Sequence, residues 1–549
     1  MRRASTHWIE EAADMVAREF GDRKLLVGNG GLSVSGLQHV GRLRGEVTMV
    51  DVVMSILEDR GYEVKHTLVL YTLDPWKGKK DQLAQFSDVE EAKSYVGWPL
   101  YKVPDPYGCH DSWVEHYWED FGPYLGEFAR RIDVVPTHEL YKRERMREFV
   151  KRVIVERRRV IEVLNKYRKR MPYTSSWIPF EPICKECGRV DSTETRSVDL
   201  GRETVSYVCN SCGYEGTASL EEGKLKWRLE WVGVWYSLDV SFEPYGKDHA
   251  TPGGSRDSCN DLALNVFGIK PPVGLPYEWV GLATDGRDLG DMGSSDFLGF
   301  TPREWLEVAE PEVLRYLYLS RDPMKRVVLS LQRIPQYTDQ FDQAERIYYG
   351  LEEPKMEPEI LERVKKSYYY SLLEPPPPEP PFQLPYSHAV ILVQILPERG
   401  EILEEALERL RKTGYLGREL RDHELRKLER RLELARTWLA KYAPPRYRIR
   451  LLEEFDERMA GRVDRRALRP LRELLIKLRS AEWTEESIKR SMMSVKKEGE
   501  LEKEFFRALY LAFFGEPSGP RIAPYLAMLD KNWVLERLER LVRAMEEAG

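Results

Sequence analysis

No apolar run in the sequence approaches the ~18 residues that a membrane-spanning helix requires. The opening stretch MRRASTHWIEEAADMVAREF turns amphipathic and acidic after its first residues, and it has no apolar core of the kind a secretory signal carries. Cysteine is scarce. Six in 549 residues argue against a disulfide framework and point to a reducing, cytoplasmic setting. Basic charge is not in excess either: the formal net charge is −6, so bulk charge does not select nucleic acid as a partner. No internal repeat is visible. These absences leave a folded protein away from membranes, with 42% hydrophobic and 32% charged residues and a length that suits about three or four domains.

Charge is uneven locally. Between Lys142 and Arg170 there are 13 Lys/Arg against 4 Asp/Glu, a basic block inside a mildly acidic chain. A solvated helix face is the ordinary meaning of such a run. The pattern of elements is more informative. Residues 5–20 read as a helix, KLLVGNG as a short strand closing on glycines, and EVTMVDVVMSILEDRG as a helix. VKHTLVLYTLD then reads as a strand ending at Asp74. Strand, glycine loop, helix, strand opens a doubly wound nucleotide-binding fold, in which ligands sit beyond the C-terminal ends of the strands. The chain is mostly helical over 86–172 and returns to α/β character over 227–300, with LPYEWVGL as a strand. After Pro302 it is helical except for the stiff, proline-rich EPPPPEPPFQLPY.

Between these halves, Cys184-x-x-Cys187 and Cys209-x-x-Cys212 are each followed by glycine, with 21 residues between the pairs. Glycine permits the tight turn of a zinc knuckle, and two knuckles supply four thiolates to a tetrahedral Zn²⁺. Four protein ligands close the site, so its role is structural. Cys109 and Cys259 lack such spacing and are assigned no chemistry.

Three separated stretches are expected at the strand ends of one sheet: SGLQHVG (Ser35 to Gly41), FEPYGKDHATPGGS from Phe242, and GDMGSSDFLG from Gly290. Small residues beside His39 let an imidazole and backbone amides approach a triphosphate. Lys247 and His249 offer cationic and hydrogen-bonding groups. In these stretches the chain resembles the class I lysyl-tRNA synthetases of archaeal and spirochaetal type. HVG stands for the HIGH-type element and EPYGKDH (Glu243 to His249) for the family's EPFGKDH. YEWVGL precedes the KMSKS-type loop at the family's spacing. QFDQAERIYYG (Gln340 to Gly350), DPYGCHDS and the zinc knuckles also fit.

The resemblance implies an α/β protein: a Rossmann-like doubly wound catalytic core with an inserted zinc-ribbon module and an all-α C-terminal region. Its segments would be 1–172 (first half of the core with a helical connective segment), 173–226 (zinc ribbon), 227–301 (second half of the core), 302–373 (helical stem-contact region), 374–386 (proline-rich linker) and 387–549 (anticodon-binding helices). The activity implied is lysine–tRNA ligation, with ATP and Mg²⁺ as substrate, structural Zn²⁺, and lysine, ATP and lysine tRNA as partners; a cytoplasmic monomer is expected. His39, Gly41, Met292, Ser294 and Ser295 would be catalytic, and Ser35, Gly36, Arg42, Lys247 and Asp248 would bind ATP. Gly31, Ser33, Trp227, His249, Tyr277 and Glu278 would hold lysine, with Glu278 nearest its ammonium. The basic block would meet the tRNA acceptor side.

The chain departs from the family in its KMSKS-type loop, where Asp291 and Asp296 stand at lysine positions. Losing one preorganised charge contact to a transition state commonly costs about 3–4 kcal/mol. Arg42, Arg44, Lys247 and Arg287 are the cations expected near enough to compensate. A second reading is therefore carried alongside, a synthetase-like paralogue that binds tRNA or lysine without aminoacylation. The pocket residues Trp227, His249 and Tyr277 favour activity.

Overall fold

The computed structural model describes residues 7–547 except 169, 397–401, 449–450, 453, 497–499 and 520. The chain divides into two compact units. The first is Met1–Trp305, Glu310–Ser330 and Glu353–Pro376; the second is Leu306–Ala309, Leu331–Glu352 and Pro377–Gly549.

The first unit is built on β1 (Leu25–Leu32), β2 (Glu63–Leu70) and β3 (Asp133–Pro136), joined later in the chain by two more parallel strands. Between them an insert forms two small antiparallel sheets. β4 (Phe180–Pro182) pairs with β8 (Gly223–Leu225), and β5 (Thr193–Asp199), β6 (Thr204–Cys209) and β7 (Glu215–Ser219) make a three-stranded ribbon. The chain returns through helix Trp227–Leu238 into β9 (Val240–Gly246) and β10 (Val273–Tyr277). The main sheet has the order β10-β9-β1-β2-β3, parallel throughout. Connections leave β1 in opposite directions along the sheet, toward β2 and toward β9, so the crevice of this doubly wound fold opens at the strand ends between β1 and β9.

Two hydrophobic clusters flank the sheet. Helix Trp8–Phe20 buries Ile9, Ala12, Ala13, Val16 and Phe20, a helical stripe, against helix Val50–Asp59, Leu26 and Phe242. Its first turn is closed by a reciprocal capping box between His7 and Glu10. The second cluster joins Val69 and Val135 to helices Glu144–Val155, Arg157–Tyr167 and Trp227–Leu238 and reaches into the insert.

The sequence places LPYEWVGL in one strand of the main sheet. The structure breaks it at Glu278: β10 ends at Tyr277, and β11 (Val280–Thr284) starts a separate three-stranded sheet with β12 (Arg287–Asp291) and β13 (Val327–Leu329). The GDMGSSDFLG loop therefore leaves a hairpin strand of that small sheet.

The second unit contains no strand among its described residues. The segment read as one helical region, 302–373, is shared between the two units. Packing explains the split. Helix Ile334–Tyr348 buries Asp342 in an ion pair with Arg431 (2.8 Å), inside the second unit. Helix Pro358–Ser371 offers the Ser371 carbonyl to Arg315 (2.8 Å) and Ser367 to His7 (3.0 Å), inside the first. The chain passes from one unit to the other within the proline-rich stretch, at Pro376–Pro377. Among the described residues, no helix is long and apolar enough to cross a membrane.

Candidate active site

A cavity of about 910 Å³ opens at the crevice end of β1 and β9. One wall is the end of β1, with Gly31, and the stretch after it, with Ser33, Ser35, His39, Gly41 and Arg42. Opposite stand Asp291, Met292, Gly293, Ser294, Ser295 and Asp296. Two contacts hold these walls together. Arg42 Nε donates to Ser294 Oγ (2.7 Å), and the backbone passes so close at Gly36 that any side chain there would run into the Ser294 carbonyl. Gly36 thus sits behind the wall and permits the approach. His39 is buried, and burial, with Arg42 beside it, holds its imidazole well below the usual value, so it is neutral at pH 7. Its Nδ1 has no hydrogen-bond partner among the described residues.

The aromatic side of the cavity comes from helix Trp227–Leu238. Trp227 and Trp231, one turn apart, stack with centroids 5.6 Å apart. His249, from the turn after β9, lies 5.4 Å from Trp227 and 5.2 Å from Trp231. Behind them Glu243 is a structural anchor. Its carboxylate accepts from Asn29 Nδ2 (2.6 Å), Trp231 Nε1 (2.7 Å) and Trp235 Nε1. Lys224 is committed to Asp74 (2.7 Å) and Glu230 (2.8 Å), and Lys226 to Glu181.

Glu46 carries no signal in the sequence. It sits on a wide helical turn, Arg44–Met49, that precedes helix Val50–Asp59. Gly45 leaves room there for the Tyr277 ring, whose hydroxyl donates to Glu46 Oε1. Oε2 is buried with no hydrogen-bond partner among the described residues. Burial pushes the Glu46 carboxyl up to about 7, against the opposing pull of the Tyr277 hydroxyl and Arg42.

Of the residues singled out from sequence, Gly31, Ser33, Ser35, His39, Gly41, Arg42, Trp227, Asp248, His249, Tyr277, Met292, Ser294 and Ser295 line this one cavity. Lys247 and Glu278 do not. They pair with each other at 2.5 Å, and Lys247 lies 4.9 Å from the Trp279 ring centre. Arg44 is buried and spent on the carbonyls of Glu278, Asp322 and Lys325, and Arg287 is exposed on β12, away from the cavity. Both loop aspartates have cations. Asp291 accepts from Arg326 Nε (2.6 Å), and Asp296 pairs with Lys79 (3.3 Å). The basic block is largely consumed inside the unit. Arg145 pairs with Asp239, Arg147 with Glu203 and Glu221, Lys151 with Glu203, and Lys166 with Asp261, while Arg152 donates to the Phe267 carbonyl.

Two clusters have metal-ligand character. The Sγ atoms of Cys184 and Cys212 are 3.7 Å apart and those of Cys187 and Cys209 3.6 Å, with all four within 4.8 Å of one another. A tetrahedron with Zn–S bonds of ~2.3 Å has edges of about 3.8 Å. Gly188 and Gly213, at φ +75° and +77°, turn the chain back over each pair. Cys109, assigned no chemistry from its spacing, lies in the second cluster. Asp105, Cys109, His110 and His116 also bring one ligand atom each within 4.8 Å of one another. Cys109 Sγ lies 3.2 Å from His110 Nδ1 and 3.3 Å from His116 Nδ1.

A parallel sheet with its cavity at the switch point, between a histidine–glycine turn and a Met-Gly-Ser-Ser loop, is the arrangement of a nucleotide-binding α/β fold. Residues 6–371 match the family described as tRNA synthetases class I (K), and residues 425–542 match an anticodon binding domain. The chain belongs to the class I (K) tRNA synthetases. It is 46% identical to the lysine–tRNA ligase of Aeropyrum pernix, over 98% of this chain and 99% of that one. It is 34% identical to the corresponding ligases of Pyrococcus horikoshii and Thermococcus kodakarensis, over 97% of this chain and 99% of each of theirs.

Proposed function

We propose that this chain activates lysine with ATP and joins it to the 3′ end of lysine tRNA, with Glu46 and Tyr277 receiving the lysine ammonium. The observation that carries the reading is the Glu46 carboxylate, hydrogen-bonded to Tyr277, with one buried oxygen lacking a donor and a stacked aromatic wall in the same cavity. The methylenes of lysine would lie along Trp227, Trp231 and His249, and its α-amino end would meet Gly31 and Ser33. Glu46 replaces Glu278 in this role because Glu278 is bound to Lys247 outside the cavity.

In the first step a lysine carboxylate oxygen attacks the α-phosphorus of ATP, and the bond from that phosphorus to the bridging oxygen breaks, releasing pyrophosphate. In the second, the terminal ribose hydroxyl of the tRNA attacks the adenylate carbonyl and AMP leaves. Neutral His39 can donate a hydrogen bond to phosphate oxygens beside the amides around Gly41. Ser294 and Ser295 present hydroxyls from the opposite wall, so positioning and charge stabilisation do most of the work. Mg²⁺ arriving with ATP supplies charge neutralisation. The four-cysteine cluster fits one closed, structural Zn²⁺. The Asp105, Cys109, His110, His116 set fits a second, which would brace the segment whose Tyr117 packs on Phe297 of the serine loop (5.4 Å). The C-terminal helices would bind the anticodon arm, and the setting is cytoplasmic.

Pyrophosphate exchange into ATP is the test. The reading predicts exchange that depends on lysine and not on arginine. Absence of exchange with lysine would overturn it.

A further inference from the structure

The serine loop carries no lysine, and of the four cations expected from sequence to make up for that, only Arg42 reaches the cavity. The structure supplies others from a different part of the chain. The segment after β2, Asp74-Pro75-Trp76-Lys77-Gly78-Lys79, crosses to the serine loop, and Lys77 and Lys79 both line the cavity. Lys79 Nζ donates to Ser295 Oγ at 2.7 Å and lies 3.3 Å from Asp296. Lys77 is exposed, and its ammonium has no ion-pair or hydrogen-bond partner among the described residues.

The segment is held at both ends. Trp76 is 1% exposed and its ring packs edge-on to Phe86 (5.7 Å) and Trp113 (5.4 Å), while its backbone N–H donates to the Trp98 carbonyl (2.8 Å). On the other side, Gln82 is buried. It accepts from the Lys79 N–H (2.8 Å) and donates to the Ser35 carbonyl (2.8 Å), tying the segment to the loop after β1. Gly78 turns between the two lysines at φ +61°. Two cations on so constrained a backbone need little reorganisation to meet an anion that arrives between the two loops.

We infer that Lys77 and Lys79 form the pyrophosphate subsite, binding the β- and γ-phosphates of ATP and the pyrophosphate that leaves. They supply from the β2 loop the charge that the serine loop lacks. This rests on the proposed function for its place in the reaction, but its anion affinity can be read without it. Equilibrium titration of the full chain with inorganic pyrophosphate, in the presence of Mg²⁺, gives that affinity directly. Lysine affinity, followed by fluorescence of the cavity tryptophans, reports that the pocket is intact.

The doubly substituted chain, Lys77→Met with Lys79→Met, should bind pyrophosphate at least tenfold more weakly while its lysine affinity stays within twofold. Its lysine-dependent exchange should fall about a hundredfold, the scale of one lost transition-state charge contact. Adding Asp296→Lys to Lys79→Met should restore exchange at least tenfold by returning a cation to the same place. Unchanged pyrophosphate affinity in the double variant, or an unsubstituted chain that does not bind pyrophosphate, would overturn the inference. An unsubstituted chain that binds pyrophosphate through these lysines and shows no exchange with lysine would keep the subsite and sink the activity.

Discussion

A buried carboxylate oxygen without a donor costs about 1–3 kcal/mol unless a ligand supplies one, and Glu46 Oε2 is in that position. Burial raises the carboxyl from its ordinary 4.5 to about 7 in the fold. Folded chains therefore hold a proton that unfolded chains have released, and this group's contribution to stability declines as pH rises from 4.5 through 7. Lysine binding has the opposite slope, since the ammonium pairs with the carboxylate and not the acid. The KM for lysine should fall as pH rises from 6 to 8, with Tyr277, Arg42 and Asp248 as the titratable or charged neighbours. Glu46→Gln should raise that KM about a hundredfold, the ~3 kcal/mol of a strong charged hydrogen bond, and leave it flat with pH. Exchange kinetics on both chains between pH 6 and 8 check this. Glu46 was not legible in the sequence because a glutamate seven residues beyond His39 resembles any surface helix residue. Only the Arg44–Met49 turn, with Tyr277 folded over Gly45, turns it toward the cavity. Glu278 stands out in the sequence because it follows Tyr277 directly, yet it lies at the break between β10 and β11 and pairs with Lys247.

Among the elements, the paired Cys-x-x-Cys-Gly turns were readable because ligand type, spacing and glycine geometry all carry the same message. The Asp105–His116 set was not. Its four residues are irregularly spaced over a loop and a short helix, Trp113–Trp118, and only folding makes them converge. Elemental analysis of the purified chain should find two zinc ions, with Cys209→Ser removing one and Cys109→Ser the other; a single zinc insensitive to Cys109→Ser would remove the second centre. Strand and helix identity in the sheet core was legible from periodicity. The break at Glu278 was not, because a continuous β-branched and aromatic run does not show which sheet it joins. In the second unit, Asp342→Ala would leave the Arg431 guanidinium buried without its carboxylate. The unfolding transition of that unit in urea should lose about 3–5 kcal/mol.

For the molecule as a whole, the family is legible in the order of separated stretches, and those after β1, after β9 and in the serine loop converge on one cavity. What sequence could not settle was whether two aspartates in the serine loop silence the enzyme. Their charge is met in the structure by Arg326 and Lys79, residues far from the loop in the chain, so the repulsion expected of bare carboxylates toward pyrophosphate is reduced. With both aspartates paired, the site still makes lysyl-tRNA. Charging of lysine tRNA by the full chain with ATP, Mg²⁺ and radiolabelled lysine tests it most directly. Lysine is expected at the tRNA 3′ end, lost on Glu46→Gln at low lysine and recovered at high lysine. A chain that binds the tRNA but attaches no lysine at any concentration would contradict it.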